Sequence, residues 1–394
     1  MNRPIRILHV VGGMNRGGVE TWLMHVLRNI DREKFQMDFL VHTDQRCAYD
    51  EEIECLGSRF RRCPGPHNPI VYSARFRRIL AEYGPYDVVH SHVHHFSGYV
   101  MKIAAGAGVP IRIAHSHNDT TSIDGESPLL RRLYLQAGRA LIRRYATARV
   151  AASEIAASSL FGPGWRRDSA TTVLYCGLDF KPFDEPVNRT EVRRELGFAT
   201  EDFVVGHVGR FFPQKNHQAL LSIFAEILKL KVEARLLLVG DGPLRDTIAQ
   251  LAEHLGIAEH VRFTGVRADI ARLMRGAMDV FVMPSHYEGL GLVAVEAQAA
   301  GLPCALSSNI PREADTDCGL VRFLGLDESP SIWANQVLQL QNRVSRDHCS
   351  ALAHVKSTAF NIASNVAKLT SLYTRNPFES TASTAPAILE NTGS

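Results

Sequence analysis

Short apolar runs alternate along the chain with longer stretches in which apolar residues recur every three or four positions. Ile5 to Val11 has the first character and predicts a strand; residues 12 to 20 form a glycine-rich loop, and Thr21 to Ile30 carries helical spacing. "FQMDFLVHT", "YDVVHSHV" and "PIRIAHSH" predict further strands, with helical patterns between them. A second series begins at "DFVVGHVGR" and continues through "ARLLLVGDGP", "VRFTG", "MDVFVMPS" and "LPCALSS". Strands that alternate with helices in this way wind into mostly parallel sheets, so the fold class is α/β. Between the series, "TVLYCGLDFKPFDEPVNRTEVRRELGF" is punctuated by Gly and Pro and ends in a short helix, which puts a boundary near residue 180 and gives two Rossmann-like halves. Ligands of such halves gather at the carboxyl ends of strands, and a cleft between the halves is the expected site. "NPFESTASTAPAILENTGS", at the end of the chain, reads as a mobile tail, residues 376–394.

A length of 394 residues suits two domains, and 45% apolar with 22% charged residues is the composition of a soluble globular protein. The net charge of +3 is unevenly spread: residues 1 to 180 hold 23 Lys and Arg against 17 Asp and Glu. Within that basic half, "RRLYLQAGRALIRRYATAR" predicts an amphipathic helix, with Leu130, Leu133, Ala137 and Leu141 on one stripe and Arg132, Arg139 and Arg143 on another. A solvated helix face and a dock for anionic lipid both fit it. "RFRRC" and "ARFRRIL" interleave basic and aromatic residues, but the charge is too modest to predict nucleic acid as a partner. The seven cysteines include no C-x-x-C pair, and no run of 18 apolar residues occurs. The five-residue apolar run near the start is too short for a secretory leader, so a cytoplasmic location, peripheral to a membrane at most, is expected.

Two stretches carry the candidate chemistry. "GRFFPQKNH", residues 209 to 217, sets Arg210 and Lys215 in a strand-to-helix loop. "PSHYEGLGLVAVEAQAAG", residues 284 to 301, places Glu288 in a glycine-rich loop and Glu296 eight positions later on a helix. Gly289 and Gly291 allow main-chain N–H groups close to a ligand, and a helix start offers such groups to an anion. Two cations with a helix N-terminus suit a diphosphate; two carboxylates with no cation beside them suit hydroxyl groups. Together these are the recognition elements of a nucleotide sugar.

The ordered combination resembles the paired signature of the retaining, GT-B-fold glycosyltransferases called family 4, over about residues 4 to 375. "IPREADTDCGLVRFLGLDESPSIWA" and "HSHND" are most similar to the bacterial exopolysaccharide and capsule branch. The resemblance implies an acceptor-binding domain at 1–180, a nucleotide-sugar domain at 181–355, and a helix at 356–375 that returns to the first domain. It implies that Gly209, Arg210 and Lys215 hold the donor diphosphate, that Glu288, Gly289, Leu290 and Gly291 hold the sugar, that Glu296 binds the ribose and that Val266 meets the base. Gly17 and Gly18 would lie beside the phosphates and acceptor. A histidine at the end of a strand would sit near the reacting carbon; His115 and His117 share one face of that strand, and His117 is nearer its carboxyl end. The implied activity is transfer of a sugar, with retention, from a UDP- or GDP-sugar to a glycan or lipid-linked acceptor, without a metal or other cofactor. A sugar-nucleotide epimerase of the same fold and a non-catalytic sugar-nucleotide-binding protein are the alternatives.

Other signals weigh less. "HSHVHH" puts His90, His92 and His94 on one face of an extended strand, with His115 and His117 near, but no Asp or Cys has the accompanying spacing, so no metal is expected. "DTD" at 315–317 has a metal-binding form in a loop past the second glutamate and reads as coincidence. "GGMNRGGVE" does not spell a dinucleotide fingerprint, and no nucleophile elbow is legible.

Overall fold

The computed structural model describes residues 3–121, 127–343 and 348–374; the expected tail at 376–394 lies outside the described residues. Strands β1 (Ile5–Val11), β2 (Phe35–Val41), β3 (Phe60–Arg62), β4 (Val88–Ser91), β5 (Ile111–Ser116), β6 (Ala148–Ala151) and β7 (Thr171–Val173) build one sheet in the order β3-β2-β1-β4-β5-β6-β7. A second sheet contains β8 (Phe203–Val208), β9 (Ala234–Val239), β10 (Val261–Phe263), β11 (Val280–Met283), β12 (Cys304–Ser307) and β13 (Val321–Leu324), in the order β10-β9-β8-β11-β12-β13. Every neighbouring pair is parallel. The inner strands are buried on both faces by helices, which is why they read as continuous apolar runs rather than alternating ones.

Chain direction across each sheet reverses between β1 and β4 and again between β8 and β11. At such a switch point the loops leaving two neighbouring strands diverge and open a crevice. The glycine loop follows β1, the histidine-rich segment follows β4, "GRFFPQKNH" follows β8 and the Glu288 loop follows β11. The two crevices meet: Leu292 of the second half packs on the core of the first, and the Ser153 hydroxyl donates to the Gly289 carbonyl.

The expected boundary near residue 180 falls between β7 and β8. The last described helix, Ile362–Thr374, lies against the first half: Trp22 Nε1 donates to Asn365 Oδ1 at 2.9 Å, and the Tyr373 hydroxyl is 2.9 Å from His90 Nδ1. It starts later than residue 356, because Lys356 and Ser357 end the preceding helix, His348–Ser357. The first helix, Gly18–Asn29, starts earlier than Thr21, so Gly18 is its first residue and Gly17, in extended conformation, its N-cap.

The helix expected from the arginine-rich stretch spans Leu129–Tyr145, but Leu135, Gly138 and Ile142 are its buried residues. Leu130 and Leu133, on the stripe read as apolar, are 81% and 52% exposed. The inward face is set by Gly138, where a Cβ would lie 2.7 Å from the His95 carbonyl oxygen, so small size rather than hydrophobicity selects it. Among the described residues no helix is long and apolar enough to cross a membrane.

Candidate active site

Gly209 follows β8, and a Cβ there would come within 3.3 Å of the Lys215 side-chain carbons, so the lysine stem folds back over the strand end only past a glycine. Pro213–Lys215 forms one 3-10 turn, and Asn216, at φ 52°, swings the chain into the helix His217–Leu230 while its side chain accepts from Ala219 N at 3.4 Å. Lys215 Nζ thereby reaches Glu288 Oε1 at 2.6 Å, with both side chains largely buried. Gln214 Nε2 donates to Glu288 Oε2 at 3.2 Å and to the Tyr287 carbonyl at 3.0 Å. This corrects the expectation that no cation stands beside the carboxylates: Glu288 is held by one, in a charge-assisted pair.

Arg210 is exposed, its guanidinium 5.4 Å above the Phe212 ring and 3.3 Å from where a Cβ on Gly17 would lie. It therefore spans the seam between the halves. Gly291, at φ 83°, caps the helix Leu292–Ala299 in a backbone conformation that favours glycine. Leu290 is buried in the core of the second sheet and offers the seam only its main chain. Glu296, on that helix, has no side-chain hydrogen bond or ion pair among the described residues, and burial pushes its carboxyl up to about 7. Val266, past β10, is 56% exposed beside Gly265, whose carbonyl accepts from Gly240 N at 2.9 Å.

From the first half, Gly17 and Gly18 open the helix that carries Glu20. Burial raises the Glu20 carboxyl, and Arg210 opposes that rise across the seam. At the end of β5, His115 is fully buried while His117 is half-buried, with its carbonyl oxygen packed against Gly289. The His117 ring turns toward the sheet: Nε2 is 2.8 Å from His92 Nδ1, and Nδ1 is 3.9 Å from Cys176 Sγ. Burial lowers this ring to about 3 and keeps it neutral. At the seam itself, the His117 main-chain carbonyl packs against Gly289.

His94 departs from the expected face. β4 stops at Ser91, and His94, at φ 51°, enters a 3-10 turn where its Nδ1 lies 2.7 Å from His95 Nδ1. In "DTD", Thr316 donates to Gln298 Oε1 at 2.7 Å and Asp315 accepts from Asp317 N at 2.9 Å, so the tripeptide forms a turn against the helix Leu292–Ala299. Glu20, Ser153 and Gln214 are among the seam residues that sequence reasoning passed over. Glu20 alone had a signal, as the acid two residues after "GG" at a helix start; Ser153 meets Gly289 from 136 residues away. Surface hollows of about 430 Å³ beside Asn188 and Arg272 and about 380 Å³ beside Phe35 and Val366 contain none of these residues.

Two doubly wound parallel sheets that meet at their switch points, with cations and carboxylates drawn from the meeting loops, define a GT-B glycosyltransferase. The description "Glycosyl transferases group 1" matches residues 188–316, and "Glycosyl transferase 4-like domain" matches residues 17–176. The chain belongs to this family of glycosyltransferases. EpsF of Bacillus subtilis (strain 168), which bears the name of a glycosyltransferase, is 41% identical over 339 residues, 84% of this chain and 86% of EpsF. The fold matches that of HepE from Anabaena, solved with UDP and glucose, at a TM-score of 0.76 and 21% identity over 93% of this chain and 98% of HepE. It also matches WaaG, a glycosyltransferase involved in lipopolysaccharide biosynthesis, at a TM-score of 0.72 and 18% identity over 93% and 99% of the two chains.

Proposed function

We propose that this glycosyltransferase moves a sugar, with retention at its anomeric carbon, from a UDP- or GDP-sugar to a lipid-linked glycan at the cytoplasmic face of the membrane, in the synthesis of exopolysaccharide, capsule or a related surface polysaccharide. The observation that carries this reading is the Lys215–Glu288 pair beside Arg210, at the point where both switch-point crevices meet. HepE, in its complex with UDP and glucose, and EpsF support it by likeness. Residues 181–355 are the donor half, residues 1–180 the acceptor half, and 356–375 the segment that ties them.

In this reading Lys215 exchanges the Glu288 carboxylate for the donor diphosphate, and Glu288 is released to accept from sugar hydroxyls. Gly289 and Gly291 bring their amides to the sugar, Glu296 takes the ribose and the Val266 main chain meets the base. As the bond between sugar and diphosphate breaks, negative charge builds on the leaving oxygen; Arg210 and Lys215 stabilise it without a metal at the diphosphate. Removal of one such donor costs about 10²–10³ in rate. The exposed Leu129, Leu130, Leu133 and Tyr134, with Arg131 and Arg132 on the same helix, give the first half an apolar and basic rim for an anionic membrane. Cosedimentation with anionic but not zwitterionic vesicles tests that contact, and Leu130→Glu should weaken it.

The direct test is incubation with UDP- and GDP-sugars and polyprenyl-linked glycan acceptors, with the anomeric configuration of the product read by NMR. Transfer with retention supports the proposal. An inverted product, or conversion of the donor to its epimer with no acceptor present, would overturn it.

A further inference from the structure

Five histidines stack behind the seam. β1 contributes His9, β4 and the residue after it contribute His90 and His92, and β5 and its end contribute His115 and His117. Cys176 lies at one edge, with its thiol beside His117 Nδ1. Among the described residues, His92, His115 and His117 each bring a ring nitrogen within 4.8 Å of the other two. We propose that these three histidines bind one divalent transition-metal ion of the zinc, cobalt or nickel class.

The hydrogen bonds select which nitrogens face the ion. His115 Nδ1 is 3.1 Å from His90 Nε2, which leaves His115 Nε2, a buried atom with no partner. His92 Nε2 is 3.0 Å from His9 Nδ1, and His117 Nδ1 is beside the Cys176 thiol. The nitrogen left over is His115 Nε2; His92 Nδ1 and His117 Nε2, which face each other at 2.8 Å, are the two that would turn to the ion. Each ligand then keeps its other nitrogen on an outer partner, the arrangement that fixes tautomer and ring orientation in metal-bound histidines. The His90–Tyr373 contact extends that outer shell to the last described helix.

An apo protein carries a cost here that an ion removes. A buried ring nitrogen without a partner is unfavourable, and a metal would supply one to His115 Nε2, which has none among the described residues. His92 Nδ1 and His117 Nε2, 2.8 Å apart, share one proton; with metal bound, that proton moves to His117 Nδ1 and both nitrogens present lone pairs. Two zinc-bound nitrogens stand roughly 3.3 Å apart at Zn–N distances of about 2.0–2.1 Å, so the His92 and His117 rings must part and turn from each other toward the ion, and the His117 ring must turn out of its stack on His115. Neutral imidazoles without a carboxylate favour zinc-class ions over magnesium or calcium. The ion would bolt the ends of β4 and β5 together and so hold the His117 carbonyl against Gly289, which makes it a positioning site, apart from the diphosphate.

His9, His90 and His92 form a second trio of similar spacing, which shares His92 but has no ligand at the contact of His117 with Gly289. The test uses the full chain, freed of metal with a chelator and titrated with Co²⁺. One Co²⁺ per chain, with visible d–d absorption that Zn²⁺ abolishes, is expected. His115→Gln should abolish that absorption, while His9→Gln, which removes only an outer partner, should weaken binding about 10–100-fold. No stoichiometric binding, unchanged binding in His115→Gln, or loss in His9→Gln with retention in His115→Gln would each overturn the assignment. Should His115→Gln fail to fold by circular dichroism, X-ray absorption of the cobalt-loaded wild type decides: three imidazole ligands support the site, and an oxygen-only shell overturns it.

Discussion

Glu296 shows at the level of one residue how burial governs a charge. Its carboxyl is raised to about 7 by burial alone, with no partner to stabilise the charge. The folded chain therefore holds a proton there that the unfolded chain has lost above its ordinary range. That contribution to stability is fully present below the unfolded value and is lost as pH rises toward about 7. In the role proposed for Glu296 the ionised form is the stronger acceptor for a ribose hydroxyl, so affinity for a nucleoside diphosphate should climb with pH and level off above about 7, with Glu296→Gln losing that rise. Calorimetry at a series of pH values checks this; an unchanged pH profile in the variant contradicts it. Arg210, Lys215, Glu288 and Glu296 were all legible as residue types at a spacing. What was hidden was the pairing, because Lys215 reaches Glu288 through the left-handed turn at Asn216, and a sequence does not record that turn.

Elements were legible in proportion to their length and burial. β1, β2, β8 and β9, six or seven residues each, announce themselves as apolar runs. β3 and β7 are three residues long, "FRR" and "TTV", and show no periodicity to read. β4 was overextended because His94 continues the histidine alternation in sequence while the backbone has already turned. The Glu288 loop is the element on which the two halves close. A Cβ on Gly289 would overlap the His117 carbonyl, and backbone cannot yield there as a flexible side chain would. Gly289→Ala should therefore hold the halves apart, lowering transfer by about 10²-fold while each sheet stays folded. Circular dichroism and transfer rates measured together check this; a near wild-type rate would mean the close approach is not needed.

Across the whole molecule, the two-sheet architecture followed from the alternation of strands and helices and the returning helix from the resemblance, whereas the contacts that dock that helix did not. Trp22 and Asn365 are separated by 343 residues, and no local pattern pairs them. Asn365 is buried, donates to the Tyr175 carbonyl and accepts from the Trp22 indole, so it joins the last helix to both the first helix and the crossing segment. Asn365→Ala would leave the indole N–H and that carbonyl without a partner and should cost about 1–3 kcal/mol, read from urea unfolding. A loss within error would show that the clasp adds nothing to stability. Closure of the halves around a donor would exclude water from the Lys215 and Arg210 charges.

Donor binding at the seam is the claim on which the rest depends, and calorimetric titration of the full chain with UDP, GDP and ADP tests it most directly. One nucleoside diphosphate should bind in the micromolar range, and Lys215→Ala should lose at least about tenfold in affinity, as expected for one charge-assisted contact. Binding of none of the three, or equal binding by wild type and Lys215→Ala, would contradict the site described here.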